Sequence, residues 1–177
     1  MRVRDRAKGF TLIELLMAVA IVGIIAAIAI PGMLRARMSG NEASASGSLR
    51  AINNGQAAFS ASCGNGFYAD SLSNLAKAPA GNIGFISPDL AADTSIKDGY
   101  VFTLAAAATT MTSAADACSG AWKPTRFYYA SAVPVQFNSS GTRSFATDVR
   151  GTIFQASTAT AAAPISDPIA STATPIQ

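Results

Sequence analysis

Residues 10–30, FTLIELLMAVAIVGIIAAIAI, run for 21 positions with a single ionisable side chain, Glu14. Coiled as a helix, such a stretch spans about 31 Å, one hydrocarbon thickness, and its apolar side chains point in every direction. It must therefore be covered all round, by lipid or by other helices. Pro31 and Gly32 follow directly, so a kink or loosening of regular helix is expected there. Four cations precede the stretch (Arg2, Arg4, Arg6, Lys8), against two just after it, Arg35 and Arg37. That bias keeps residues 1–9 on the cytoplasmic side and sends the rest across.

Charge is otherwise balanced. The chain has 13 Lys+Arg and 10 Asp+Glu; with residues 1–9 set aside, nine of each remain. A chain so neutral lacks the clustered cations that phosphate contacts need, and specific nucleic-acid binding is not expected. Histidine is absent, which removes the commonest general base, the commonest metal ligand and every His-containing triad. Cys63 and Cys118 are too few for a zinc site, and Asp89, Asp93 and Asp98 lack the spacing of an EF-hand loop, so neither metal nor cofactor is expected. Beyond a membrane the compartment is oxidising. A Cys63–Cys118 disulfide is the natural reading there, two unrelated thiols the alternative.

Three readings compete for the N-terminal stretch. A secretory signal peptide needs a basic start, about 7–15 apolar residues and a small-residue cut. The start is present and Ala27-Ile28-Ala29 offers a cut, but the run is too long and Glu14 is out of place. A plain signal anchor explains length and orientation, yet leaves without a role a carboxylate that costs about 2.5–3.5 kcal/mol at the centre of a spanning helix. The third reading comes from Lys8-Gly9-Phe10-Thr11-Leu12-Ile13-Glu14-Leu15. This octet, followed by the apolar run and Pro31, resembles the cleavage signature of type IV prepilins and type II secretion pseudopilins.

The resemblance implies that a dedicated prepilin peptidase cuts after Gly9 and methylates the new amine of Phe10. Glu14 becomes the fifth mature residue, a position that family keeps acidic, and Pro31 falls at its usual helix kink. It further implies a homo-oligomeric helical filament, an assembly platform and ATPase in the bacterial inner membrane, and residence there before assembly with the head periplasmic. The filament is then a pilus at the cell surface or a periplasmic pseudopilus. Physically, cleavage places an α-amino cation four residues before Glu14, at the same membrane depth. An incoming subunit's amine can neutralise the carboxylate of one already in place, and misregister leaves both charges unpaired in an apolar core.

Beyond residue 34 the helix is expected to continue as an amphipathic half to residue 62, with Leu49, Ile52 and Phe59 on one face. Gly40, Gly47 and Gly55 weaken it. A head follows over 63–155: turn-rich to residue 99, with a short helix around 70–76 capped by Ser71 or Asp70. Strands are read at 100–106, 126–137, 143–149 and 152–156, the last two joined by a turn at Arg150-Gly151. The fold class is α+β, a long N-terminal helix (membrane half plus amphipathic half) on an antiparallel sheet of three or four strands, pilin-like. Residues 156–177, poor in large apolar side chains, read as a mobile low-complexity tail. The resemblance makes exposed serines and threonines in it candidate glycosylation sites.

The function read from this is structural: a type IV pilus-like filament subunit for adhesion, twitching motility or DNA uptake, with a type II secretion pseudopilin as the alternative. A membrane-anchored enzyme would need a Ser–Lys or paired-carboxylate site, and nothing in the sequence singles one out.

Overall fold

Leu12–Ser62 form one α-helix, α1. The computed structural model of the chain describes residues 9–79, 83–106, 116–118, 120, 122, 124–157 and 173–176. Alanine, leucine, isoleucine and methionine supply helix propensity along α1, and helical backbone continues through Pro31 and Gly32. Proline removes one backbone hydrogen bond at that point without ending the helix. The end comes where Asn65 and Gly66 turn left-handed (φ 52° and 86°) and the Cys63, Gly64 and Gly66 N–H groups reach back to Phe59 and Ser60 carbonyls. The chain comprises two compact units, residues 1–36 and 37–177.

In the second unit, α1 buries Glu42, Ala45, Ser48, Leu49, Ile52, Gly55, Gln56 and Phe59. Steps of three and four residues keep these positions on one face of a 3.6-residue period. The stripe expected from Leu49, Ile52 and Phe59 is therefore present, but Glu42, Ser48 and Gln56 lie in it as well. Gly55 is there because nothing larger fits: a Cβ would lie 2.7 Å from the Phe85 carbonyl oxygen and 2.8 Å from Ile86.

The stripe joins a core with Tyr100, Phe102 and Leu104 of one strand, Tyr128, Ala130 and Ala132 of the next, and Phe145 and Ile153 beyond. These strands form a six-stranded antiparallel meander, neighbours in space in their chain order: β1 (Thr94–Lys97), β2 (Tyr100–Ala106), β3 (Tyr128–Pro134), β4 (Ser144–Asp148), β5 (Ile153–Ala156) and β6 (Thr174–Pro175). The short helix α2 (Leu72–Ala76) forms where expected, and of the two candidate caps Ser71 does the work, accepting from Asn74 N–H. Within the head the sheet's inner face, α2 and Cys63, Ala69, Ile86 and Leu90 share one core cluster with α1.

Three or four strands were expected and six are present among the described residues, for two different reasons. β1 was missed because its pattern is inverted: Ser95 is buried and Ile96, its one large apolar residue, is 68% exposed. The Asp98-Gly99 turn that joins it to β2 (φ 47° and 74°) is nonetheless the two-residue hairpin that an Asp-Gly pair favours. β6 lies inside the segment read as a tail. Residues 174–175 pair with Phe154 and Gln155, because the β5 edge offers backbone groups that need a partner whatever the side-chain composition. The expectation for 158–172 lies outside the described residues.

Candidate functional site

Thr11 stands immediately before α1 and caps it. Its hydroxyl oxygen accepts from Glu14 N–H at 3.3 Å, and its hydroxyl donates to Glu14 Oε2 at 3.3 Å. Thr-Leu-Ile-Glu is thus a Ser/Thr-x-x-Glu start signal, with the carboxylate turned onto the cap and favoured by the positive end of the helix. Thr11 was missed as a site residue, although the three-residue spacing to Glu14 is a local signal that could have found it. Gly9 and Phe10 precede the helix in non-helical backbone and are exposed, Phe10 to 80%. A Cβ on Gly9 would have no neighbour within 4 Å. The Gly9–Phe10 peptide is consequently open to approach, with no helix to unwind.

Downstream, each large apolar side chain from Phe10 to Leu34 is at least 53% exposed. One helix of the described residues is long and apolar enough to cross a membrane, and none of its most apolar 18-residue window is buried. Pro31 lies at the C-terminal side of that surface. Apolar area of this size and continuity is covered in any aqueous setting.

In the head, Cys63 and Cys118 are joined as a disulfide, Cα–Cα 4.9 Å. Beside it, Cys118 N–H donates to the Cys63 carbonyl at 3.2 Å, and Tyr68 and Thr125 exchange backbone hydrogen bonds of 2.7 Å each way. The bridge therefore fastens the segment before β3 to the end of α1. Trp122 stacks on Phe59 with centroids 5.3 Å apart.

A second fastening went unread in the sequence. Glu42 on α1, 6% exposed, accepts through Oε1 from Thr142 N–H and Thr142 Oγ1–H at 2.8 Å, and through Oε2 from Arg143 Nε at 2.8 Å. Arg143 Nη1 continues to Gln155 Oε1 on β5 at 2.8 Å. One turn-spaced set further on, Asn53 donates to Thr147 Oγ1 and the Gly151 carbonyl, and accepts from Tyr128. Gln56 pairs with both backbone groups of Ala69, as a neighbouring strand would. These groups hold α1 in register on the head. The arrangement is one of satisfied polar ties, and among the described residues no cluster of three His, Cys, Asp or Glu side chains could hold a metal ion.

Burial pushes the Glu42 carboxyl up, but the hydrogen bonds from Thr142 and Arg143 and the guanidinium charge outweigh it and hold the group below its ordinary value. A depressed folded-state value contributes stability that is present above the unfolded value and lost as pH falls through the folded one. Asp89 and Asp93 are held down as well, chiefly by hydrogen bonds from Lys97 and from Ser73. The head is accordingly expected to lose stability on acidification below about pH 4.5. Glu42→Gln flattens that dependence, measured by urea unfolding at a series of pH values. An unchanged profile in the variant would show that Glu42 does not carry it.

Among known families, the one described as Prokaryotic N-terminal methylation motif matches residues 4–30. The type IV major pilin protein PilA of Myxococcus xanthus is 43% identical over 58 residues, 33% of this chain and 26% of that protein. The type IV wide pilus major component PilA4 of Thermus thermophilus is 58% identical over 36 residues, 20% of this chain and 28% of that protein. The matched stretches thus span about a quarter of each relative's length. No solved structure matches. A capped acidic start, an uncovered apolar helix and the prokaryotic N-terminal methylation motif thus coincide in one segment, and it is in this N-terminal region that the chain is similar to the two type IV pilins.

Proposed function

We propose that this chain is a structural subunit of a type IV pilus-like filament and not an enzyme. Prepilin peptidase cuts between Gly9 and Phe10 and methylates Phe10. Residues 10–34 then hold the subunit in the inner membrane, head outside the cytoplasm, until the platform and its ATPase extract it into the filament. The observation that carries this reading is the pairing of an exposed Gly9–Phe10 peptide with an apolar helix whose large side chains from residue 12 to 34 are all exposed. Filament assembly exchanges the lipid around that helix for the helices of other copies, and Pro31 lets it adjust its path.

Glu14 supplies register. Its present partner, the Thr11 hydroxyl, is neutral, so the carboxylate is open to the amine that cleavage creates on a neighbouring copy. Both relatives are named as major pilus components, which supports the pilus over the pseudopilin of a type II secretion system. Filaments sheared from the cell surface, and not confined to the periplasm, would separate the two.

Two measurements test the proposal. The mature chain extracted from membranes should begin at Phe10 with one added methyl; a start near Ile30 or at Met1 would remove the filament reading. Glu14→Val should be processed at the same bond, yet yield at least about tenfold fewer filaments, the effect of roughly 1.4 kcal/mol lost per incorporation step. Wild-type filament yield from that variant alone would sink the register role.

A further inference from the structure

The C-terminal residues 173–176 are attached to the sheet in a way that invites exchange between copies. β6 pairs with β5 through Phe154↔Pro175 and Gln155↔Thr174, with Ile176 N–H donating to the Ile153 carbonyl at 2.8 Å and Thr174 Oγ1 donating to the Gln155 carbonyl at 3.3 Å. The Ile153–Ile176 hydrogen bond sets the alternation, so Pro175 falls at a position whose backbone nitrogen faces away from β5. Proline there costs β5 nothing and leaves the outer side of β6 short of a donor, which stops further strands from adding. Ile176 shares the inner side of the sheet with Ile153 and lines a cleft of about 160 Å³ with Ser39, Glu42, Arg143 and Phe145. Ile176 keeps 38% of its surface exposed, so the segment is held chiefly by its backbone pairing with β5 and carries its own stop signal.

Its tether is far longer than the contact requires. Hairpins close with about two to five residues, whereas 17 residues, 157–173, separate the end of β5 from the start of β6. A connection of that length reaches up to about 55–60 Å, more than the diameter expected for a head of this size. Once heads stand side by side, a neighbour's β5 is within the same reach as the chain's own. Every contact made in cis can be made in trans, and exchange of an identical element between copies is a low-cost way to link them.

We propose that in the assembled filament the outer edge of β5 receives residues 173–176 of a neighbouring copy, so that heads are tied by exchanged C-terminal strands. This rests on the filament reading above. Gln155 and Thr174 are Cα partners, and paired positions on adjacent strands lie within disulfide range. Full-length Gln155→Cys and Thr174→Cys chains, each able to assemble alone, are co-expressed, and sheared filaments are run on non-reducing gels. Covalent dimers from the mixture, absent from either variant alone, are the expected result. Filaments that form without the mixed dimer overturn the exchange, whether or not a Gln155→Cys/Thr174→Cys chain closes a bridge within itself. Failure of the unmodified chain to form any filament overturns the functional reading, and the exchange with it.

Discussion

Removing the Cys63–Cys118 bridge should lower the stability of the head by about 4 kcal/mol, the chain-entropy value for a closed loop of roughly 55 residues. The corresponding fall in melting temperature is about 10–15 °C for a domain of this size. The bridge has leverage because of what it joins. Cys63 follows directly on the last residue of α1, and Cys118 begins the segment that returns through Thr125 to β3. Without it, the unfolded chain regains the freedom of the whole intervening stretch, including β1 and β2. The Cys63→Ser/Cys118→Ser chain in detergent, unfolded thermally and followed by the fluorescence of Trp122, the single tryptophan, measures this. A loss below about 1 kcal/mol would show that the Tyr68–Thr125 ladder holds the segment by itself.

Phe59→Ala is the second large effect, about 3–5 kcal/mol. Phe59 is fully buried, stacked on Trp122 and set edge-on to Phe85 at 5.4 Å. It sits where the last turn of α1, the 83–86 segment and the segment around Trp122 converge, so a truncation there leaves a cavity between three elements that cannot all close on it. Trp122 loses its stacked partner and its emission shifts. Since Phe59 and the disulfide secure the same segment, the triple variant should lose less than the sum of the two effects. Strict additivity in a double-mutant cycle would contradict that shared role.

What composition and local order decide was legible in the amino-acid sequence. Residues 10–30 are apolar on all sides, so a helix there must be sheathed, and no tertiary contact can alter that. The short helix at 72–76 with its cap at Ser71 or Asp70, the start of β2 at Tyr100 and the end of β5 at Ala156 rest on interactions within a few residues, which is why spacing and residue type disclosed them. Even the disulfide partners followed from there being two cysteines and one oxidising side of a membrane.

Tertiary structure decided what depends on register across distance. Glu42 meets Thr142 and Arg143 from about a hundred positions away, and in the sequence it is one more carboxylate on a helix. Ser95 turns inward and Ile96 outward because the Asp98-Gly99 hairpin sets their pairing with Phe102 and Val101, against the preference of each side chain for the other face. β6 exists because β5 has an unsatisfied edge within reach of a long connection, a reason that lies in backbone hydrogen bonding and leaves no trace in side-chain pattern. The apolar helix and its capped acidic start belong to local chemistry; the polar ties that hold α1 to the head, and the β5 edge that residues 174–175 pair with, belong to the fold.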